Sequence, residues 1–473
     1  MGSNVLTARP SGLGVASLAA RRPAAVSFVI AFAAMLAVAL THGAKPFHYD
    51  SGVYWTLGAT FTRDGAFSLL NFDSPLRGFL LPLAFDGLGS ISDGLGWNAS
   101  TIVKLFNGAT FAAIATALAP KLAELAWPER RWLIGRRLAL AALLLVFWRG
   151  YLDFPLSDFP ALAAVLLSLI AVARSDQPGW MLLAGLAASA AVNMRPAYVL
   201  LLPALAALVA FAWWEHRAET DATVRRAGCV VVLIAGFAVV ALPQALATHR
   251  HYDSWSFVPG SAAGLSSLQY TEGLRMQRYD TYVGTEKPPR MVFVDPTGSR
   301  LLDERQQGTV ESAREYAGLA LTHPATMAAL FGRHIVNGLD QRYPTPYIET
   351  LDEGENRWMR LAGFVLVFLA LARIAWPAAR HRLGPAQWRW PVALLICGAT
   401  SVASAVETRF LLPAVLLTYM LVLSASWPNP LAASGSAGIR RFATAAALLG
   451  AFAIFIVVVL GTIGSATDHL QFG

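Results

Sequence analysis

SPLRGFLLPLAFDGLGSISDGLGW, residues 74–97, is apolar enough to suggest a membrane span and broken enough to argue against one. Pro75 and Pro82, a scatter of glycines and the acids Asp86 and Asp93 make it a poor full crossing. Whether it crosses fixes the number of spans, and with that number the side on which every loop lies.

The class is set by composition. The chain has 473 residues, 56% hydrophobic and 14% charged, which is the balance of a polytopic membrane protein. Its net charge of +8 sits in short basic clusters between apolar stretches, so it does not call for nucleic acid. The two cysteines, Cys229 and Cys397, lie inside apolar runs and form neither a metal motif nor a disulfide framework.

A bilayer core takes about 20 apolar residues per helix, and lipid leaves helices as the solution for such a chain. The candidate spans are 23–41, 101–120, 138–150, 159–173, 180–193, 198–214, 227–247, 358–376, 391–406, 410–426 and 442–464. The first lacks a small-residue cleavage site and runs on into HGAKPFHYD, so it reads as a span and not a cleaved leader. Arg and Lys in short loops mark the cytoplasmic side. Arg9, Arg21 and Arg22 precede the first span, and PERRWLIGRR carries Arg130, Arg131, Arg136 and Arg137. Further clusters are Arg217, Arg225 and Arg226, then Arg380, Arg382 and Arg389, then Arg440 and Arg441. With eleven spans all of them fall inside; a crossing at 74–97 would put PERRWLIGRR outside. Residues 74–97 are therefore expected as a helix on the outer interface, with a second from Gly52 to Arg63.

The expected fold is an all-α polytopic bundle of about eleven transmembrane helices with two large outer loops. Residues 1–247 form an N-terminal core that includes the first loop, 42–100. Residues 248–357 form the second loop, and 358–473 the C-terminal helices. The second loop is too long for a connector. It is expected to be irregular at first, then helical near 310–322 and 324–338, split at His323-Pro324.

Charged residues gather at the outer ends of the spans. Asp50 follows the first span in HYDSGVYWTLG, and Asp73 and Arg77 lie in the first loop. Asp153 and Asp158 occupy WRGYLDFPLSDFPAL, Arg195 occupies NMRPAY, and Glu407 and Arg409 occupy VETRFLLP. Each has an ordinary reading as a solvated span end: Arg195 before Pro196 as a helix-start feature, Glu407 with Arg409 as a local ion pair. Asn98-Ala99-Ser100 fits a glycosylation sequon, a triplet frequent by chance.

Taken in order, these features resemble the GT-C superfamily of integral-membrane glycosyltransferases, of the aminoarabinose and mannosyl transferase type. HYDSGVYWTLGATFTRDG is similar to that family's acidic motif and first outer helix, and NFDSPLRGFLLPLAFDGLG to its Pro-rich turn and second interfacial helix. YLDFPLSDFPALAAVLLSL, HPATMAALFGRHI and ETRFLLP are similar to later features, so the resemblance runs from about 23 to 426. It implies an inner-membrane, multi-pass enzyme of cell-envelope glycan synthesis, with a cytoplasmic N-terminus and an outer-facing active site. The reaction implied is transfer, with inversion, of a hexosyl or pentosyl group from a polyprenyl-phosphate donor to a lipid or glycan acceptor. Many members carry two adjacent acids after the first span, whereas this chain has Asp50-Ser51. A lone acid is a poor divalent-cation site, which favours transfer without a metal or other cofactor.

The residues suit that chemistry on their own. A hydroxyl nucleophile needs a base, and Asp50 is the candidate, its pKa expected to rise if apolar neighbours desolvate it. The departing phosphate needs cations, for which Arg195, Arg409, Arg77 and Arg333 are candidates. Asp158 is placed to position acceptor or sugar, with Asp73 and Glu407 as further binding candidates, and Tyr54 and Trp55 offer aromatic faces. A glycan polymerase or ligase and a secondary transporter are the rival readings. The first does not need an acidic motif at Asp50, and the second favours internal repeats and midplane charges.

Overall fold

The computed structural model describes residues 22–215, 221–305, 308–351, 353–375, 385–425 and 436–473. Arg9, Arg21, Arg217, Arg380 and Arg382 lie outside the described residues, as do the side chains of Arg225, Arg440 and Arg441.

Helix α1 (Pro23–Thr41) starts on a proline, which suits a first turn whose N–H groups are unpaired anyway. Its small or slender residues Ser27, Ala31, Met35 and Ala39 recur every four positions and are buried. That stripe lets α1 lie close against a later helix, while Val29 stays 65% exposed on its other side. A short α2 (Tyr49–Thr56) carries Asp50 in its first turn and runs into a 3-10 turn, Leu57–Phe61. The strands β1 (Thr62–Arg63) and β2 (Ala66–Phe67) form a small hairpin. Helix α3 (Leu80–Leu95) occupies the stretch that decides the span count and ends on Gly96 with φ +64, a left-handed cap natural to glycine.

Helix α4 (Ala99–Ala113) continues through a π turn, Ile114–Leu118, into α5 (Ala119–Ala126). Asn98 caps it, its side chain accepting the Ser100 N–H, so the sequon asparagine has a helix-capping job. Then follow α6 (Ile134–Trp148), α7 (Asp158–Val172), α8 (Pro178–Met194), α9 (Leu201–Glu215) and α10 (Asp221–Tyr252).

The second loop differs from expectation. Its later part does hold two helices, divided by Pro324, but its first part is ordered. It consists of α11 (Leu265–Arg275), β3 (Met276–Tyr282), β4 (Arg290–Val294) and α12 (Pro296–Asp303). The expected pair are α13 (Ala313–Thr322) and α14 (Pro324–Gly338), followed by β5 (Tyr347–Ile348). The chain closes with α15 (Glu353–Ala375), α16 (Pro385–Gly398), α17 (Leu412–Ser424), α18 (Ser436–Thr467) and a terminal strand β6 (Leu470–Phe472). The strands form one sheet in the order β5-β3-β4-β6, with β4 antiparallel to both β3 and β6. The fold is thus a helical bundle with a small sheet added. The C-terminal tail completes the sheet begun 190 residues earlier.

Among the described residues, helices occupy all eleven apolar stretches, and six helices are long and apolar enough to cross a bilayer. Those around α7, α8 and α17 are apolar but shorter. On α18, Leu449, Ile454 and Val457 are 69%, 69% and 71% exposed, and on α10 Val231 is 65% exposed. Helices that turn long apolar faces outward belong in lipid, which marks a membrane-embedded chain. Ionic contacts tie both ends of the bundle. At one end Arg389 bonds Glu215 at 2.8 Å; at the other the acids and arginines of the loops meet, Arg409 with Asp50 at 3.2 Å.

Candidate functional site

The site is built from the ends of several helices. Asp50 sits in the first turn of α2, where a helix N-terminus favours a carboxylate. Asp158 occupies the same place on α7. Arg195 ends α8 just before the Pro196 turn, and Glu407 and Arg409 lie in the short turn before α17.

Arg77 needs a more elaborate mount. The Phe79 N–H donates to Gln244 Oε1 at 3.2 Å and the Leu80 N–H to Asn193 Oδ1 at 2.9 Å, so two first-turn donors of α3 are satisfied by side chains of α10 and α8. Asn193 also donates to Gln244 at 2.9 Å, which locks the pair. Only glycine fits between, because a Cβ on Gly78 would stand 2.1 Å from the Asn193 carbonyl oxygen. Arg77 is thereby fixed at the edge of the bundle.

These side chains converge. Arg77 donates to Asp50 at 2.5 Å and Arg409 donates to its other oxygen at 3.2 Å. Arg409 also forks onto Glu407, at 3.0 Å through Nη2 and more closely through Nε, and reaches Asp158 at 3.6 Å. Arg195 bonds Asp158 and packs over the Phe410 ring at 4.7 Å, and Arg77 lies over Tyr54 at 5.2 Å. Tyr54 donates in turn to Ser157 at 3.3 Å.

The cluster opens on a cavity of about 440 Å³ that Asp50, Tyr54, Arg77, Arg195 and Arg409 all line. Leu76, Met194, Val199, Val258, Leu265 and Phe410 supply apolar walls. The cavity therefore offers three guanidiniums and one carboxylate beside a greasy surface, a combination suited to an amphipathic anion.

Burial pushes the Asp50 carboxyl up, but Arg409, Arg77 and Arg195 together outweigh it and hold the pKa below its ordinary value. The expected rise is thus reversed, because its neighbours are guanidiniums more than apolar groups. Glu407 goes the other way: complete burial raises its pKa despite Arg409. Burial, with Glu407 next to it, likewise raises the Tyr279 phenol, so it stays a hydrogen-bond donor on the cavity wall.

Of the residues singled out in the sequence, Asp50, Tyr54, Arg77, Asp158, Arg195, Glu407 and Arg409 come together. Two do not. Asp73 accepts from the Tyr252 hydroxyl and lies 3.8 Å from His251, away from the cavity lining. Arg333 is held by the buried Asp295 at 2.6 and 3.1 Å, a fork that fastens α14 to the α12 N-terminus. Asp295 caps α12 as well, so Arg333 has a structural employment. Tyr279 and Gln269, which also line the cavity, escaped the sequence reading because they come from the loop segment expected to be irregular. For Tyr279 the visible signal is MQRYDTYV followed by MVFV, two runs of strand-forming residues around a Pro-containing turn; Gln269, on α11, has none. Among the described residues no three His, Cys, Asp or Glu side chains gather as a metal site would require. Cys229 and Cys397 are both free and buried.

The sequence matches no protein-family model, and no curated protein is detectably similar to it.

Proposed function

We propose that this chain is a GT-C-like membrane glycosyltransferase that moves a sugar from a polyprenyl-phosphate donor to a lipid or envelope-glycan acceptor. The observation that carries the reading is the meeting of Asp50 with Arg77, Arg195 and Arg409 on one cavity that also has apolar walls. A polyprenyl-phosphate sugar has a compact, singly charged phosphodiester head on an apolar chain, and each part finds its complement there.

In the proposed reaction the acceptor hydroxyl oxygen attacks the anomeric carbon and forms the new C–O bond. The bond from that carbon to the phosphate oxygen breaks, and its electron pair leaves on the phosphate. Asp50 takes the hydroxyl proton. A single displacement of this kind inverts the anomeric centre. The guanidiniums of Arg77, Arg195 and Arg409, all on the cavity, stabilise the leaving charge, with Arg77 foremost because its ion-pair partner is Asp50 and it is the most exposed. Metal-free transfer follows naturally where arginines provide that charge.

The depressed pKa of Asp50 fits a substrate-dependent base. The carboxylate holds the guanidinium donors that a phosphate would take. Phosphate binding shares those donors, and the carboxylate regains proton affinity as it loses them. Eleven crossings, a cytoplasmic N-terminus and an outward-facing site belong to the same proposal, supported by the charge pattern and by β6 joining the sheet of the second loop.

Lipid analysis of a deletion strain tests this reading. Accumulated polyprenyl-phosphate sugar with an under-glycosylated envelope glycan is the expected outcome. Accumulation of undecorated, full-length repeat units instead would indicate a polymerase, and an intact envelope with altered solute uptake a transporter.

A further inference from the structure

A second cavity, of about 300 Å³, lies between the link from α1 to α2, the turn at 149–154 and the chain around β5. Phe154 and Tyr347 form its aromatic wall, packed edge-on with ring centroids 4.7 Å apart. The Tyr347 hydroxyl accepts the backbone N–H of Ser51 at 3.1 Å, so this wall touches the residue that follows Asp50.

The polar lining is specific. His42 Nδ1 lies 2.7 Å from Asp153, whose side chain is only 3% exposed. A carboxylate only accepts, so Nδ1 carries the proton and Nε2 is left to accept one from a ligand. Nε2 has no partner among the described residues. The other Asp153 oxygen stands 3.4 Å from the Lys104 ammonium, which also donates to the Gly43 carbonyl, so the dyad is held from behind. At the rim Lys45 pairs with Glu349 at 2.7 Å, presenting a donor and an acceptor together.

Charge decides what such a cavity takes. Asp153 and Glu349 put two carboxylates on its wall, which disfavours an anion, while Lys45 and Arg149 put two cations there, which disfavours a cation. A neutral group rich in hydroxyls can use both signs, since each hydroxyl donates and accepts. The aromatic wall suits the C–H face of a ring. We propose that this second cavity binds a polyhydroxylated group, a sugar ring or a polyol, with His42 accepting from one of its hydroxyls. That this group is the acceptor of the transfer reaction rests on the reading given above; that the cavity binds it does not.

Saturation-transfer NMR on the purified, full-length protein in detergent tests the site, with D-glucose, D-mannose, D-galactose and L-arabinose as probes and inorganic phosphate as the anionic control. The expected result is transfer to at least one sugar, weakened about fivefold to tenfold by loss of one hydrogen bond in His42→Ala and in the surface-exposed Lys45→Gln. Arg77→Ala should leave it unchanged. No transfer to any sugar, transfer indifferent to both cavity variants, or transfer lost with Arg77→Ala would overturn the proposal. So would phosphate binding that depends on His42 in the absence of sugar binding. Undecaprenyl phosphate binding, measured on the same protein, depends on the first cavity alone, so its persistence when the sugars fail would leave the transferase reading standing.

Discussion

Two clusters of arginines and carboxylates are buried in this protein, and they are built differently. In one, Arg278 donates to Asp280 at 3.0 and 2.9 Å and to the carbonyls of Asn337 and Asp340 at 3.1 and 2.9 Å. Asp340 is gripped in turn by Arg360 at 3.0 and 3.1 Å. Every direction of the Arg278 guanidinium is spent on the protein, and the cluster sews the sheet to α14 and α15. In the other, the side chains of Arg77 and Arg409 spend themselves on carboxylates alone and line a cavity. A guanidinium tied to backbone carbonyls cannot be released without breaking the fold. One tied to a mobile-proton carboxylate beside open space can exchange that partner for a phosphate. On the proposed function, the difference separates a structural network from a reactive one, though both have the same composition.

The sharpest break in that comparison is at Asp50. Asp50→Asn keeps shape and hydrogen bonding but lacks proton affinity, so turnover should fall by about 10²–10⁴-fold while donor binding changes little. Asp50→Glu should recover only part of it, because the added methylene displaces the carboxylate from attack geometry. Full activity of Asp50→Asn in a reconstituted assay would remove the base from the mechanism.

Arg278→Ala should act on stability instead. It strands Asp280 and two carbonyls in the interior, and breaking a buried pair costs about 3–5 kcal/mol, so yield and thermal stability in detergent should drop together. Arg409→Ala and Arg195→Ala would carry a similar penalty, since each would strand a buried carboxylate. Arg409→Lys and the more exposed Arg77→Ala are the informative variants for function.

The pH profile should separate the free and loaded states. The guanidiniums around Asp50 hold its pKa below the ordinary carboxylate value of 3.8, so the base form persists above that pH and is lost as pH falls through the lowered value. The acid limb of kcat/KM, which reports the free protein, should therefore lie below about pH 4. The limb of kcat should lie higher, because bound phosphate draws the guanidiniums away. Coincident limbs near neutral pH would contradict the exchange of partners.

The smallest effects belong to the two residues left outside the cavity. Asp73→Asn and Arg333→Ala should change donor affinity by less than about threefold, a surface-pair effect at Asp73; Arg333→Ala also strands the buried Asp295, so it should lower stability while leaving affinity in place. A loss at Arg333 in affinity without a loss in stability would mean that the second loop closes over the site.

Much of this was legible in the sequence because the signals are local. Apolar length alone located helices in all eleven stretches, and His323-Pro324 marked the boundary between α13 and α14. Asp50, Asp158, Arg195 and Arg409 were visible as charges at span ends, where burial without pairing is costly. The sheet was not legible, because β6 is three residues long and acquires its partner only through tertiary contact. The Asn193–Gln244 mount for Arg77 was equally hidden, since amides inside apolar helices look like isolated polar residues until the backbone they serve is in place. The direction of the Asp50 shift depended on how many guanidiniums converge, which spacing along the chain cannot tell.

Binding of undecaprenyl phosphate to the purified protein, followed by native mass spectrometry, tests the central claim most directly. The wild-type protein should retain the lipid. Arg77→Ala should weaken binding about tenfold to a hundredfold, the worth of a charge-assisted hydrogen bond, while Arg333→Ala binds as the wild type does. Equal retention by wild type, Arg77→Ala and Arg409→Lys would contradict the claim that this cavity holds the phosphate.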